Sequence, residues 1–189
     1  MKIGLLTLPL SNNYGAHLQA WALQNILEQL GHNVLLLNVQ PSGIMKRRFL
    51  VPIKKTIASI IRLLPNHSSF HYVDYRFLQE KHFNTFRNSN FVLSKRIYST
   101  KGLRNTFLNE KCEGIIVGSD QVWRKWSFIP LSVYFLPWLN IDMPKLGYAI
   151  SYGKDEWEMT DKETQRYTEY IKKFSCLSMR EKKGVEITK

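Results

Sequence analysis

Two stretches of this 189-residue sequence combine residue types that do chemistry with a spacing that brings them to a ligand. The first reads Ser11-Asn-Asn-Tyr-Gly-Ala-His-Leu-Gln-Ala-Trp-Ala-Leu-Gln24. It follows an apolar run and opens a long amphipathic segment that ends at Gly31. A strand that empties through such a turn into a helix presents unpaired N–H groups and a partial positive charge to an anion. Gly15 lets backbone approach a ligand closely, and His17 adds a titratable ring on the first helical turn. The same features fit an ordinary α/β start with a polar surface histidine.

The second stretch is Gly114-Ile-Ile-Val-Gly-Ser-Asp-Gln-Val-Trp123. Ile115 to Val117 reads as a buried strand, with Gly118, Ser119 and Asp120 at its carboxyl end, where open α/β sheets bind ligands. A hydroxyl and a carboxylate there can orient substrate hydroxyls, and Asp120 can serve as a general base. A helix-capping role for Ser119 and Asp120 fits equally well. Further on, Trp123, Trp126, Phe128, Tyr134, Phe135 and Trp138 crowd one region. Aromatics at that density stack on sugar rings or cover the edge of a core, and core is the default.

The elements that must position these residues follow from periodicity. Ile3 to Leu8 is a continuous apolar run closed by Pro9, the mark of a strand buried on both faces. Ala16, Ala20, Leu23, Leu27 and Leu30 form one core-facing helical stripe, and Gly31 supplies a C-cap. Val34 to Leu37 is a second buried strand, which completes a βαβ unit. Helices are expected over Tyr75–Arg87, broken by Asn88 to Asn90, over Lys101–Asn109 with Leu103, Phe107 and Leu108 inward, and over Lys162–Phe174. On the first of these, Phe77 or Leu78, His82 and Phe86 share overlapping faces. Short strands are expected at Phe91–Leu93, Lys145–Ser151 and Cys176–Met179. The expected fold is α/β: one Rossmann-like, three-layer domain over 1–189 with a mostly parallel sheet.

Composition narrows the function classes. A hydrophobic share of 44% and a charged share of 22% are those of an ordinary globular domain. The net charge of +12 is concentrated, because no Asp or Glu lies between Glu28 and Asp74 while Lys46, Arg47, Arg48, Lys54, Lys55 and Arg62 do. Such a field attracts polyanions, but no nucleic-acid module accompanies it, so no nucleic-acid partner is expected. Residues 44–64 fit a basic helix packed on the sheet, and also a helix lying on an anionic membrane surface. His67 and His71 stand at i, i+4 with no third ligand in view, so no metal is expected. Cys112 and Cys176, isolated, suit a reducing compartment, and no apolar run spans a membrane. The expected location is cytoplasmic, and the membrane-surface reading of 44–64 would add peripheral contact at the inner membrane face.

Four blocks then carry a resemblance: Asn13-Tyr-Gly-Ala-His-Leu-Gln-Ala-Trp-Ala-Leu23, Gly118-Ser-Asp-Gln-Val-Trp123, Tyr148-Ala-Ile-Ser-Tyr-Gly153 and Leu177-Ser-Met-Arg-Glu-Lys-Lys-Gly-Val-Glu-Ile187. In words, order and spacing they resemble the polysaccharide pyruvyl transferase family, over the N-terminal half of its usual domain. That domain is similar to a two-lobed GT-B glycosyltransferase, so the resemblance implies one Rossmann-like lobe with the second lobe absent.

The resemblance implies transfer of the enolpyruvyl unit of phosphoenolpyruvate to a sugar of a cell-surface polysaccharide or its precursor, with no metal or organic cofactor. It makes His17 and Asp120 the catalytic candidates. Asn13, Tyr14, Gly15, Ser119, Gln121, Arg180 and Lys182 become the substrate-binding ones, with Lys183 in support of Arg180. Arg180, expected at the start of a helix, would reach the anionic donor through its bidentate fork. Expected partners are phosphoenolpyruvate, a sugar or polysaccharide precursor, and either a second-lobe chain or another copy through self-association. A non-catalytic binding module and a related sugar-nucleotide glycosyltransferase lobe are the other readings.

Overall fold

The computed structural model describes residues 1–10, 13–41, 75–125 and 129–189, with 75–80 described by backbone alone. The expected basic helix within 44–64, His67, His71, Ser11, Trp126 and Phe128 lie outside the described residues, as do the side chains of Phe77 and Leu78.

Five parallel strands form one sheet: β1 (Lys2–Leu6), β2 (Asn33–Leu36), β3 (Gly114–Asp120), β4 (Lys145–Ile150) and β5 (Cys176–Met179). Their spatial order is β2-β1-β3-β4-β5, and every pairing is parallel. The sheet is therefore all-parallel rather than mostly parallel, and the fold is Rossmann-like. In this order the chain winds one way from β1 and the other way from β3. The crevice between their carboxyl ends is the reversal point where such sheets bind ligands.

Two apolar layers enclose the sheet. On one face, helix α1 (Tyr14–Gln29) packs Ala16, Ala20, Leu23 and Leu27 onto Ile3, Leu5, Val34, Leu36 and Ile116. Leu30 falls outside that stripe and is 68% exposed, because the helix ends before it. Gly31 then adopts φ +84°, the left-handed cap its lack of a Cβ allows. Helix α2 (Tyr75–Asn90) lies beside α1 and runs through Asn88 and Asn90, the residues expected to break it. Asn90 is held from both sides, donating to Phe86 O at 2.8 Å and accepting at its carbonyl from Gln24 Nε2 at 3.1 Å. Among its described side chains Phe83 is buried, whereas His82 is exposed. Phe91 to Leu93 makes one isolated parallel bridge, Leu36 to Leu93, instead of a strand.

On the other face, α3 (Thr100–Asn109) buries Leu103 and Phe107 but leaves Leu108 37% exposed, one position off the inward stripe. Trp123 stacks on Phe135 at 4.6 Å, and Phe135 on Tyr167 at 4.3 Å. Trp123, Tyr134, Phe135 and Trp138 are all buried, so these aromatics are core and present no sugar platform. Helix α4 (Asp161–Ile171) starts at a capping box between Thr160 and Glu163 and stops before Phe174. Helix α5 (Lys182–Thr188) begins two residues after Arg180, which is thus a strand-end residue and not a helix start. No helix among the described residues is long and apolar enough to cross a membrane.

Candidate active site at the carboxyl edge of the sheet

Parallel strands deliver all their carboxyl ends to one edge, and hydrogen bonds outside the ladders stitch three of them together. Ser151 N donates to Asp120 O at 3.0 Å, Trp123 N to Ser151 O at 3.3 Å, and Arg180 N to Ile150 O at 2.9 Å. Ser119 and Asp120 belong to β3 itself, so no helix follows for them to cap. The Gly118–Ser119 peptide is cis, Gly118 has φ +131° and Asp120 has φ +90°. A Cβ on Gly118 would stand 2.1 Å from Tyr148 O, so only glycine fits against β4 there. The Asp120 carboxylate faces β5, where Arg180 Nη1 donates to Oδ1 at 3.3 Å. Arg180 Nε donates to Glu181 Oε1 at 2.9 Å, which fixes the guanidinium plane while occupying only part of its fork.

Beside this pair lies a pocket of about 260 Å³, lined by the cations Lys154, Arg180 and Lys183, the carboxylates Asp155 and Glu181, and Gln121, Tyr152 and Gly184 among others. Gln121 lies over Gly153, whose φ of +67° and missing Cβ make the room: a Cβ there would meet Gln121 Cδ at 2.6 Å. Gln121 Oε1 accepts from Arg124 Nη1 at 2.9 Å. Burial pushes the Tyr152 phenol up to about 12, against a smaller opposing effect of its hydrogen bond with Thr188, so it stays protonated. The hydrogen bond from Lys183 to Glu186, at 2.9 Å, raises the Lys183 ammonium above its ordinary range. It is Lys183 that lines the pocket; Lys182 is exposed at the first position of α5.

The first block supplies a second group. Asn13 caps α1, its Oδ1 accepting from Ala16 N at 3.3 Å. Gly15 is exposed beside that cap, and a Cβ there would crowd Asn13 Oδ1 at 3.3 Å. Tyr14 is 71% exposed, with its ring 4.6 Å from that of Phe83. His17 is not at the surface: it is 2% exposed, its ring 4.8 Å from Phe83 and 6.0 Å from Phe86. Its Nδ1 bonds Asn13 O at 2.8 Å, and its Nε2 is buried without a hydrogen-bond partner among the described residues. Burial lowers its pKa, the Asn13 hydrogen bond opposes that shift and the Arg87 charge adds to it, so the neutral ring is favoured.

The structure therefore joins Asp120, Gln121 and Arg180, puts Asn13, Tyr14 and Gly15 at the α1 entrance, and sets His17 behind Phe83. Two residues that pattern reading passed over enter as well. Gln19 and Thr7 bond Ser119 at the crevice between β1 and β3. Among the described residues, no group of three or more His, Cys, Asp or Glu side chains is placed to hold a metal ion.

The family model for polysaccharide pyruvyl transferase matches residues 13–189, which contain all four blocks and every strand after the first. The chain belongs to the polysaccharide pyruvyl transferase family. Membership implies a pyruvyl donor and a sugar acceptor. No curated protein and no solved structure matches the chain.

Proposed function

We propose that this chain forms the lobe of a pyruvyl transferase that takes phosphoenolpyruvate as donor and a sugar of a cell-surface polysaccharide, or its precursor, as acceptor. The observation that supports this most is the Asp120–Arg180 pair at the mouth of a pocket carrying Lys154 and Lys183. Phosphoenolpyruvate brings a carboxylate and a phosphate, and an Arg fork with two ammonium groups nearby matches that pair of anions.

The reaction adds two sugar hydroxyls to C2 of the enolpyruvyl unit. A proton reaches the methylene carbon and makes it a methyl, the first hydroxyl oxygen attacks C2, the C2–O bond to phosphate breaks, and the second hydroxyl closes the ketal. Of the two hydroxyl protons, one balances that in the methyl group and the other leaves with phosphate. Asp120 is assigned the base for a sugar hydroxyl, since it stands at the strand end beside the cation that holds the donor. Arg180 and Lys183 bind the donor and stabilise the charge on the departing phosphate. Asn13, Tyr14, Gly15 and Gln121 shape the walls, and exposed Lys182 adds to the field at the rim. His17 is assigned the acid/base with two conditions set by geometry: its Nδ1–H is committed to Asn13 O, so Nε2 donates a proton only after taking one up, and it reaches substrate only when Phe83 moves off the ring. Incubating the chain, together with a second-lobe partner, with phosphoenolpyruvate and a set of hexose acceptors tests the proposal. Phosphate release with ketal formation supports it, and turnover of a nucleotide sugar instead refutes it.

A further inference from the structure

Ser119 sits in a closed circuit of hydrogen bonds whose direction can be followed atom by atom. Gln19 Nε2 donates to Thr7 Oγ1 at 3.3 Å, which fixes the amide so that its oxygen points the other way. Thr7 Oγ1 passes its own hydrogen to the Ser119 carbonyl at 3.3 Å. Thr7 is 3% exposed, so water does not compete for that hydroxyl. Ser119 Oγ gives its hydrogen to Gln19 Oε1. Every hydroxyl hydrogen in the circuit is committed. What Ser119 still offers outward is a pair of lone pairs, and it is only partly buried. The three residues come from the end of β1, the second turn of α1 and the end of β3, so the circuit spans the crevice at the chain reversal.

We propose that this circuit makes Ser119 an obligate hydrogen-bond acceptor, so that the β1–β3 crevice takes the hydroxyls of a neutral sugar while the Arg180 pocket takes the anion. The assignment rests on the pyruvyl-transfer reading and divides its two substrates between neighbouring sites. An oxygen with only lone pairs to offer attracts a sugar O–H and repels a phosphate or carboxylate oxygen. The pocket on the β5 side brings three cations, Lys154, Arg180 and Lys183, against two carboxylates, Asp155 and Glu181, so it keeps a positive excess that the crevice lacks. Gln19 is then a positioning residue. It acts through Ser119 by removing the serine's choice of donating, and Thr7 holds Gln19 in the orientation that does so.

Binding separates this inference from the reaction. Saturation-transfer NMR with a panel of neutral methyl hexosides, and phosphorus NMR with inorganic phosphate, are run on the chain and on S119A, Q19M, Q19E and R180M. Glycoside binding is expected to weaken about tenfold in S119A and Q19M, the loss of one or two hydrogen bonds, with phosphate binding within about twofold of the starting chain. Q19E keeps an acceptor for the serine hydrogen and is expected to retain glycoside binding within about threefold. R180M is expected to do the reverse, losing phosphate and keeping glycoside. Retained phosphate binding shows that S119A and Q19M fold. The inference is overturned if no glycoside of the panel binds, if S119A and Q19M bind it as tightly as the starting chain, or if phosphate is lost with it. Turnover of a nucleotide sugar in place of phosphoenolpyruvate refutes the pyruvyl reading and leaves these binding results standing on their own.

Discussion

Arg180 separates a structural role from a binding role more sharply than any other residue at this edge, because the two predict magnitudes of different size. Its side chain is 46% exposed, and that of its partner Asp120 is 24% exposed. An ion pair so open to water contributes about 0.2–1 kcal/mol to stability. The companion contact with Glu181 is similarly exposed, so R180M should lower the unfolding free energy by no more than about 1–2 kcal/mol. A donor phosphate or carboxylate held by the same fork loses a charge-assisted hydrogen bond, about 1.5–3 kcal/mol, which is roughly a 10- to 150-fold rise in the KM for phosphoenolpyruvate. Urea titration gives the first quantity. Phosphate release at saturating sugar gives the second. A donor KM within about threefold of the starting chain, or a stability loss of about 3 kcal/mol or more, would refute the reasoning, because either result makes Arg180 a structural residue.

Other expectations follow from equally local geometry. Gly118→Ala places a Cβ 2.1 Å from Tyr148 O at a φ of +131°, so the β3–β4 pairing must open; a loss of at least about 3 kcal/mol in chemical denaturation is expected. Trp123→Ala removes a fully buried ring stacked on Phe135 and should destabilise by about 3–5 kcal/mol, read as a lowered denaturation midpoint. His17 has its folded-state pKa lowered, so the unfolded chain binds the proton more readily and stability falls as pH drops through the ordinary value of 6.5 toward the folded one. Denaturation midpoints from pH 8 to pH 5 should decline less steeply in His17→Asn than in the parent chain; equal slopes contradict the burial account.

Much of the frame was legible because it rests on short-range pattern. Continuous apolar runs at β1 and β2 and the Ala16–Leu27 stripe are local signals, and each formed the element expected of it. The four sequence blocks pointed to the family, which residues 13–189 match. What local pattern could not carry was contact across the chain. His17 reads as a surface residue until α2 brings Phe83 onto it from 66 residues away. In the sequence β3 reads as ending at Val117, because nothing nearby announces that Gly118 lets the strand run on to Asp120 against Tyr148 and Ile150. Gln19 and Thr7 were passed over for a similar reason: Thr7 meets Ser119 over a separation of 112 residues. A signal was present all the same. Gln19 is a polar residue next to Ala20, at the sheet-facing border of the α1 stripe, where a residue without a polar partner costs stability. Lys183 displaced Lys182 at the pocket because the phase of a short helix depends on where it starts, and α5 starts after Arg180 and Glu181.

The most direct test of the account is phosphorus NMR of phosphoenolpyruvate mixed with the chain and hexose acceptors, followed by mass analysis of the sugar. The account predicts inorganic phosphate released in equal amount with a pyruvate ketal on the sugar, and a rate that falls sharply in Asp120→Asn. Phosphoenolpyruvate left intact with every acceptor, while a nucleotide sugar is consumed, would contradict it.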